Sequence, residues 1–546
     1  MKIKNIYPSQ QMIYHEVIQQ GRLLFPFDSS HSFAVQRMLK AVKKYQVYCL
    51  ENQKSQVFVE VHKLTGNWQV QNMLVNRELT WQEGLSMLET SARQEFASSV
   101  ELFFSAPPPL AHWLQEQGYV DQGTVWSKQL NYKTGLVLGG GGARGSYQIG
   151  VWQALLERRL HFQWIAGCSV GALNGALIAQ GDLVAAQTLW QEIATNKVLE
   201  VSFDALETAD FADHVQQLRQ FIFEAIQQKG LSTAPLRKLL QEHLNAEKMT
   251  KSVPLYVVTT RVPTFQEVVV KLNDCSQKEM LSWLLASSAF FPLMSIEPIG
   301  EHFYVDGGYR NNVPIDVVLA QGATEVIVVD VHGPGFDKAV TIPNDVAVIP
   351  LTTSWDLGEM LLFEANRAKA NIKLGYLEMK RCLGENQGQR YFFDSSENFP
   401  RMTRKFVAFI QEKLPVSLAN LAELHQRSYQ QPLEKLSLSL LEQWSEWLNV
   451  SPLNVYRISE LAAIICRNAK ENSEITHIPS VKEHVSQRWQ EMNRLSLYNR
   501  TIRLYQQQVN NWNGALAAWP LPTLLVLFLE FIQEEFTWQE NSVTKL

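Results

Sequence analysis

The sequence predicts an α/β protein built on a mainly parallel sheet, with a smaller α/β segment before it and a helical region after it. Three observations predict this. From about 133 to 395, short apolar runs lead into glycine clusters and then into helix-period patterns, as expected for parallel strands with helices on their faces. Residues 1–131 mix helical patterns with strands of alternating apolar residues, and beyond Pro400 helical periodicity dominates. The divisions expected are therefore 1–131, 132–395 and 396–546.

Composition narrows the function classes. Across 546 residues the net charge is −5, which argues against a strongly basic nucleic-acid binder and a long acidic tail. Hydrophobic residues make up 46% and there are 15 Trp, enough to fill several cores. The cysteines Cys49, Cys168, Cys275, Cys382 and Cys466 are scattered and odd in number. They suit neither a disulfide framework nor a zinc ribbon, so a reducing compartment is expected. No apolar core follows the basic start Met1–Lys4, so no secretory signal is expected.

In the first segment, Gln46–Leu50, Ser55–Val61 and Val100–Phe104 read as strands, Trp81–Phe96 as a helix, and Pro107-Pro108-Pro109 as punctuation. Gly135–Leu138 then reads as a short buried strand that opens the second segment. It runs into Gly139-Gly140-Gly141-Gly142-Ala143-Arg144-Gly145, with a helical pattern from Ser146. Such a loop lets backbone N–H groups face a ligand ahead of a helix dipole, which suits an anion or a developing oxyanion. Gly140, Gly142 and Gly145 also fit the dinucleotide fingerprint, but the next strand ends at Gly167 and Cys168, without the acid that binds a ribose. A P-loop fails as well, for no Lys-Ser/Thr pair follows.

The second strand, Phe162–Ala166, leads into Gly167-Cys168-Ser169-Val170-Gly171 and a small-residue helix. G-x-S-x-G is weak alone, but strand, motif and helix together form the turn that presents a serine hydroxyl at a helix N-terminus. Cys168 is the rival nucleophile, at a position expected to point back into the sheet. For a base, Phe303–Val305 ends at Asp306-Gly307-Gly308, while His161 belongs at the far end of its strand. Taken alone, Asp306 reads as a cap or turn residue; beside the other two blocks it reads as a base.

These three blocks, in this order, resemble the patatin-like phospholipase family. The flanking Ala286–Pro292, Asn312-x-Pro314 and Glu325–Asp330 are similar to it too, so the resemblance covers about 135–335. It implies a three-layer patatin-like core and a Ser-Asp dyad. In that pattern Ser169 of Gly167-x-Ser169-x-Gly171 is the nucleophile and Asp306 of Asp306-Gly307-Gly308 the base. Gly140, Gly141, Gly142, Arg144 and Gly145 form the oxyanion hole. It further implies hydrolysis of a lipid ester, with phospholipid the expected substrate, and no metal or other cofactor. One departure is Thr259–Thr264, where relatives commonly carry Asp and Gly. A triad with His302 or His332 is the rival mechanism, and Arg144 is read either as a headgroup contact or as a loop anchor. An inactive lipid-binding scaffold is the alternative to an enzyme.

The end of the first segment, Leu110–Leu130, is similar to the close of an acetyltransferase-type fold, but Val75–Thr80 lacks the acetyl-CoA loop, so a degenerate relative is expected. In the third segment, Leu524–Leu529 would be apolar on nearly every side of a helix, which reads as a core helix, with membrane docking as the alternative. Pro520 and Pro522 interrupt the longest apolar stretch, and a bilayer span needs about 20 residues, so no transmembrane helix is expected. The protein is expected in the cytoplasm, peripheral at a membrane, without nucleic acid.

Overall fold

Thr134–Leu138 (β1), the apolar run ahead of the glycines, is buried along its whole length at the middle of a sheet. That position explains its lack of alternation, since both faces are covered. The computed structural model describes residues 1–28, 30–52, 55–64, 66–198, 231–471, 497–505 and 512–543. The other strands of this sheet are β2 (Trp164–Cys168), β3 (Leu255–Val262), β4 (Gln266–Lys271), β5 (Glu297–Ile299), β6 (His302–Asp306), β7 (Glu325–Val329) and β8 (Ala347–Leu351). Their order is β5-β6-β3-β2-β1-β7-β8, with β4 on the other edge of β3. β3, β2, β1, β7 and β8 run parallel, whereas β4 and β6 run antiparallel to β3.

Helices α1 (Ser146–Glu157), α2 (Val170–Gln180), α3 (Leu183–Gln191), α4 (Ala234–His243), α5 (Gln277–Ser287) and α6 (Ala365–Cys382) belong to the same part of the chain. Val137, Ala166, Val258, Val318 and Val326 form a β-branched-rich core beneath the sheet. The α/β class with a parallel sheet is as the sequence predicts. The addition is β4 and β6, antiparallel to β3, with β5 antiparallel to β6, and β6 carries Asp306.

The chain divides into two compact units. One comprises Met1–Lys4, Arg22–His31 and Cys49–Leu383; the other comprises Asn5–Gly21, Ser32–Tyr48 and Gly384–Leu546. In the first unit a second sheet includes Gln56–Leu64, Asn67–Val75, Ser99–Leu102 and Trp126–Gln129, with the middle two parallel. The helix Trp81–Gln94, started by a Thr80–Glu83 capping box, lies between them in the chain. From this helix, Gln94 Nε2 donates to the Val348 carbonyl at 3.0 Å and Thr90 Oγ1 to the Asn344 carbonyl at 3.2 Å. The triple proline starts a helix, Pro108–Glu116, because Pro needs no N–H in a first turn.

In the second unit α7 (Phe399–Lys413), α8 (Leu436–Trp447) and α9 (Pro520–Val543) pack around Leu524–Leu529, each residue of which is at most 2% exposed. Phe528 meets Phe406 edge to face at 5.0 Å, and Trp444 Nε1 donates to the Leu525 carbonyl at 3.0 Å. This apolar run is therefore core. No helix among the described residues is long and apolar enough to cross a membrane.

Candidate active site

β2 ends on Cys168, and Ser169 occupies the N-cap of α2 at φ 53°, ψ −127°, a left-handed conformation that costs a non-glycine residue of order 1–3 kcal/mol. The small neighbours make the turn possible. A Cβ on Gly171 would lie 2.1 Å from the Leu138 carbonyl oxygen. The Ser169 N–H donates to Ser287 Oγ at 3.0 Å, and that hydroxyl donates to the Val258 carbonyl at 2.7 Å. The end of α5 thus pins the elbow to β3.

Register along β3 brings the carboxylate to this serine. Cys168 of β2 pairs with Val258, and the next residue, Thr259, pairs with Asp306 of antiparallel β6. The two strands share one edge of β3 and meet end to end, so the last residue of β6 abuts the residue after β2. Asp306 is 4% exposed, and its Oδ1 accepts from Gly308 N–H at 2.7 Å and from the Cys168 thiol at 3.6 Å. Burial pushes its carboxyl up to about 6, opposed by hydrogen bonding with the Ser169 side chain, the Gly308 N–H and the Cys168 thiol. The rival nucleophile Cys168 faces this carboxylate, and burial, foremost, raises its thiol well above the ordinary range. A thiol held neutral is a poor nucleophile.

Among the histidines, His161 is exposed ahead of β2 and His302 is exposed at the start of β6, the end away from Asp306. His332 is exposed, with Nδ1 3.5 Å from Asp330. His243, the last residue of α4, lines the cavity described below and was not singled out from the sequence.

The glycine loop enters a tight 3-10 turn at Gly142–Gly145, with Gly142 at φ +57°, which favours glycine. Its amides are unequally used. Gly139 donates to Val329 at 3.0 Å, Gly140 to Asn312 at 3.2 Å, Ala143 to Met360 at 2.7 Å and Arg144 to Gly141 at 3.3 Å, all at carbonyl oxygens. Among the described residues the N–H groups of Gly141 and Gly142 have no such acceptor. The Arg144 guanidinium donates to the carbonyls of Gly358 and His332, both at 2.8 Å, so its donors clamp backbone. The Gly145 carbonyl accepts from Asn174 Nδ2 at 2.9 Å.

Gly140, Gly141, Gly142, Ser169 and Asp306 line one cavity of about 1010 Å³, measured with its open mouth. Its walls are apolar: Leu173 and Leu177 of α2, Trp190 of α3, Leu236 and Leu240 of α4, and Phe290. Among the described residues no group of three or more His, Cys, Asp or Glu side chains could hold a metal ion.

Residues 136–319 match the family model of patatin-like phospholipase. The human patatin-like phospholipase domain-containing protein 6 is 29% identical over 242 residues, covering 42% of this chain and 16% of that protein. Lysophospholipase NTE1 of Mycosarcoma maydis is 26% identical over 242 residues, covering 44% and 12%. Neuropathy target esterase sws of Drosophila melanogaster is 23% identical over 344 residues, covering 61% and 22%. The chain therefore spans less than a quarter of each of these relatives. VipD from Legionella pneumophila superposes with a TM-score of 0.31 at 14% identity, covering 76% of this chain and 93% of that one. The acetyltransferase likeness of residues 1–131 gains no support from these matches.

Proposed function

Given a patatin-like phospholipase domain at residues 136–319, we propose that this protein is a serine acyl hydrolase that cleaves long-chain phospholipid esters with a Ser169–Asp306 dyad. The observation that carries the reading is the meeting of the ends of β2 and β6 on one edge of β3. A buried carboxylate and the elbow serine at that junction, both lining one apolar cavity, support the dyad.

Asp306 takes the Ser169 proton as the hydroxyl attacks the ester carbonyl. The oxyanion is held by the N–H groups of Gly141 and Gly142, which have no carbonyl acceptor among the described residues. One such donor contributes on the order of 3–4 kcal/mol in comparable sites. Asp306 returns the proton to the leaving alcohol, and water then releases the acyl chain from Ser169 by the same steps reversed. Gly140 serves this loop through its bond to Asn312, and Arg144 and Gly145 serve it as anchors. The Gly167, Gly171, Gly307 and Gly308 positions keep the elbow and the aspartate turn clear of side chains.

The apolar walls suit an acyl chain, and a lysophospholipid is the simplest substrate, in keeping with the name of the Mycosarcoma relative. Such substrates sit in lipid surfaces, which favours peripheral membrane contact from the cytoplasm. The division at 1–131, 132–395 and 396–546 belongs to the same proposal, with the hydrolase in the middle segment. A fluorophosphonate probe tests the reading, with labelling expected on Ser169 and absent from Ser169→Ala. Fatty-acid release from a phospholipid and lysophospholipid panel should follow the labelling, and release at the parent rate by Ser169→Ala would overturn the assignment.

A further inference from the structure

Trp190, Asn174 and Gln148 form a buried chain of hydrogen bonds that ends on the glycine loop. Trp190 Nε1 donates to Asn174 Oδ1 at 2.9 Å. Asn174 Nδ2 donates to Gln148 Oε1 at 2.8 Å and to the Gly145 carbonyl at 2.9 Å. Gln148 Nε2 donates to the Gly139 carbonyl at 2.8 Å. The three side chains lie on α3, α2 and α1, and none is more than 4% exposed.

The direction of this chain is fixed from one end. An indole N–H donates and never accepts, so it decides which end of the Asn174 amide faces Trp190. Asn174 must then present its two N–H groups to Gln148 and Gly145, and Gln148 must present its own to Gly139. The carbonyls reached are the two that bracket Gly140–Arg144. Pinning both leaves the Gly141 and Gly142 peptides suspended between fixed points. Trp190 also belongs to the cavity wall, its ring stacked on Phe363 at 6.1 Å.

We infer that Trp190, Asn174 and Gln148 are positioning residues that couple filling of the apolar cavity to the aim of the Gly141 and Gly142 amides. An acyl chain packed on the indole holds it in place, the indole orients the two amides, and the amides hold the loop ends. This rests on the reading of Gly141 and Gly142 as oxyanion donors. A chain that reaches Trp190 then raises kcat as well as lowering KM, because its binding is spent on the geometry of the reacting centre.

Two substitutions separate coupling from wall packing. Trp190→Phe keeps an aromatic wall and removes the donor. Asn174→Asp keeps the shape and the Trp190 partner, but turns an acceptor toward Gly145 and Gln148. With butanoyl and dodecanoyl esters of one alcohol, wild-type kcat is expected to rise with chain length. In both variants, checked for folding by circular dichroism, kcat for the dodecanoyl ester is expected to fall about tenfold, the size of one lost buried hydrogen bond, with KM within about twofold. The rise of kcat with chain length should also flatten. An unchanged kcat in Trp190→Phe, with the whole effect in KM, makes the indole a wall and overturns the inference. A wild-type protein that neither labels nor turns over means that the reading of the site itself has failed. The relay is then judged by crystal structures of wild type and Trp190→Phe: displaced Gly139 and Gly145 carbonyls support it, and unmoved ones overturn it.

Discussion

Asp306 carries opposing demands in one side chain: burial favours its neutral form, and abstraction of a proton requires the charged one. Activity is therefore expected to rise with pH through about 6 and level off above it, as measured by kcat/KM against pH. Asp306→Asn and Ser169→Ala should each lower turnover by roughly ten-thousandfold or more. Stability should move the other way. A carboxyl whose folded value is raised from 3.8 to about 6 stabilises the fold fully below the lower value and loses that contribution as pH rises through the upper one. Near neutrality Asp306→Asn should thus gain up to about 3 kcal/mol, since a neutral amide oxygen can still accept from Gly308. Thermal melts near pH 8 should show the gain, and melts near pH 4 should lose most of it.

At the scale of the element, the tightest constraint is the turn between β2 and α2. Gly171→Ala places a methyl group 2.1 Å from the Leu138 carbonyl, so β1 and α2 must separate. A loss of about 1–3 kcal/mol is expected, with weakened fluorophosphonate labelling because Ser169 moves with the turn. In the second unit, Phe528→Ala should cost about 3–5 kcal/mol by denaturant unfolding, because the ring is wholly buried against Phe406. Both features rest on patterns visible in the chain: strand, small residues, helix in one case, and an all-round apolar helix in the other. The sequence also marked β1 and β2, whose apolar runs lead into glycines, and the family resemblance marked β7. It did not mark β6 as antiparallel, since five residues ending in Asp-Gly read the same in either direction and only pairing with β3 decides. Nor did it mark Gln148, Asn174 or Trp190. Each is one polar or amphipathic residue among others on its helix, a weak signal until three helices converge. The unequal use of the loop amides was hidden for a similar reason, because the acceptors at Asn312, Val329 and Met360 come from distant stretches of chain.

At the scale of the whole molecule, the cavity predicts selectivity by length. Each methylene buried against its apolar walls should raise kcat/KM about fourfold, the equivalent of about 0.8 kcal/mol, until the space is full. A series of esters differing only in acyl length measures this, and a flat series would show that the chain does not enter. The pairing of β6 with β3 has a consequence of its own. Side chains alternate faces along a strand, so removing Tyr304 or Val305 with Phe303 held opposite Val262 would bring Gly307 opposite Thr259 and turn the carboxylate to the reverse side of the sheet. A single codon lost there could disarm the protein while its hydrophobic interior stayed nearly filled, so the position of one hairpin acts as a reading frame for chemistry.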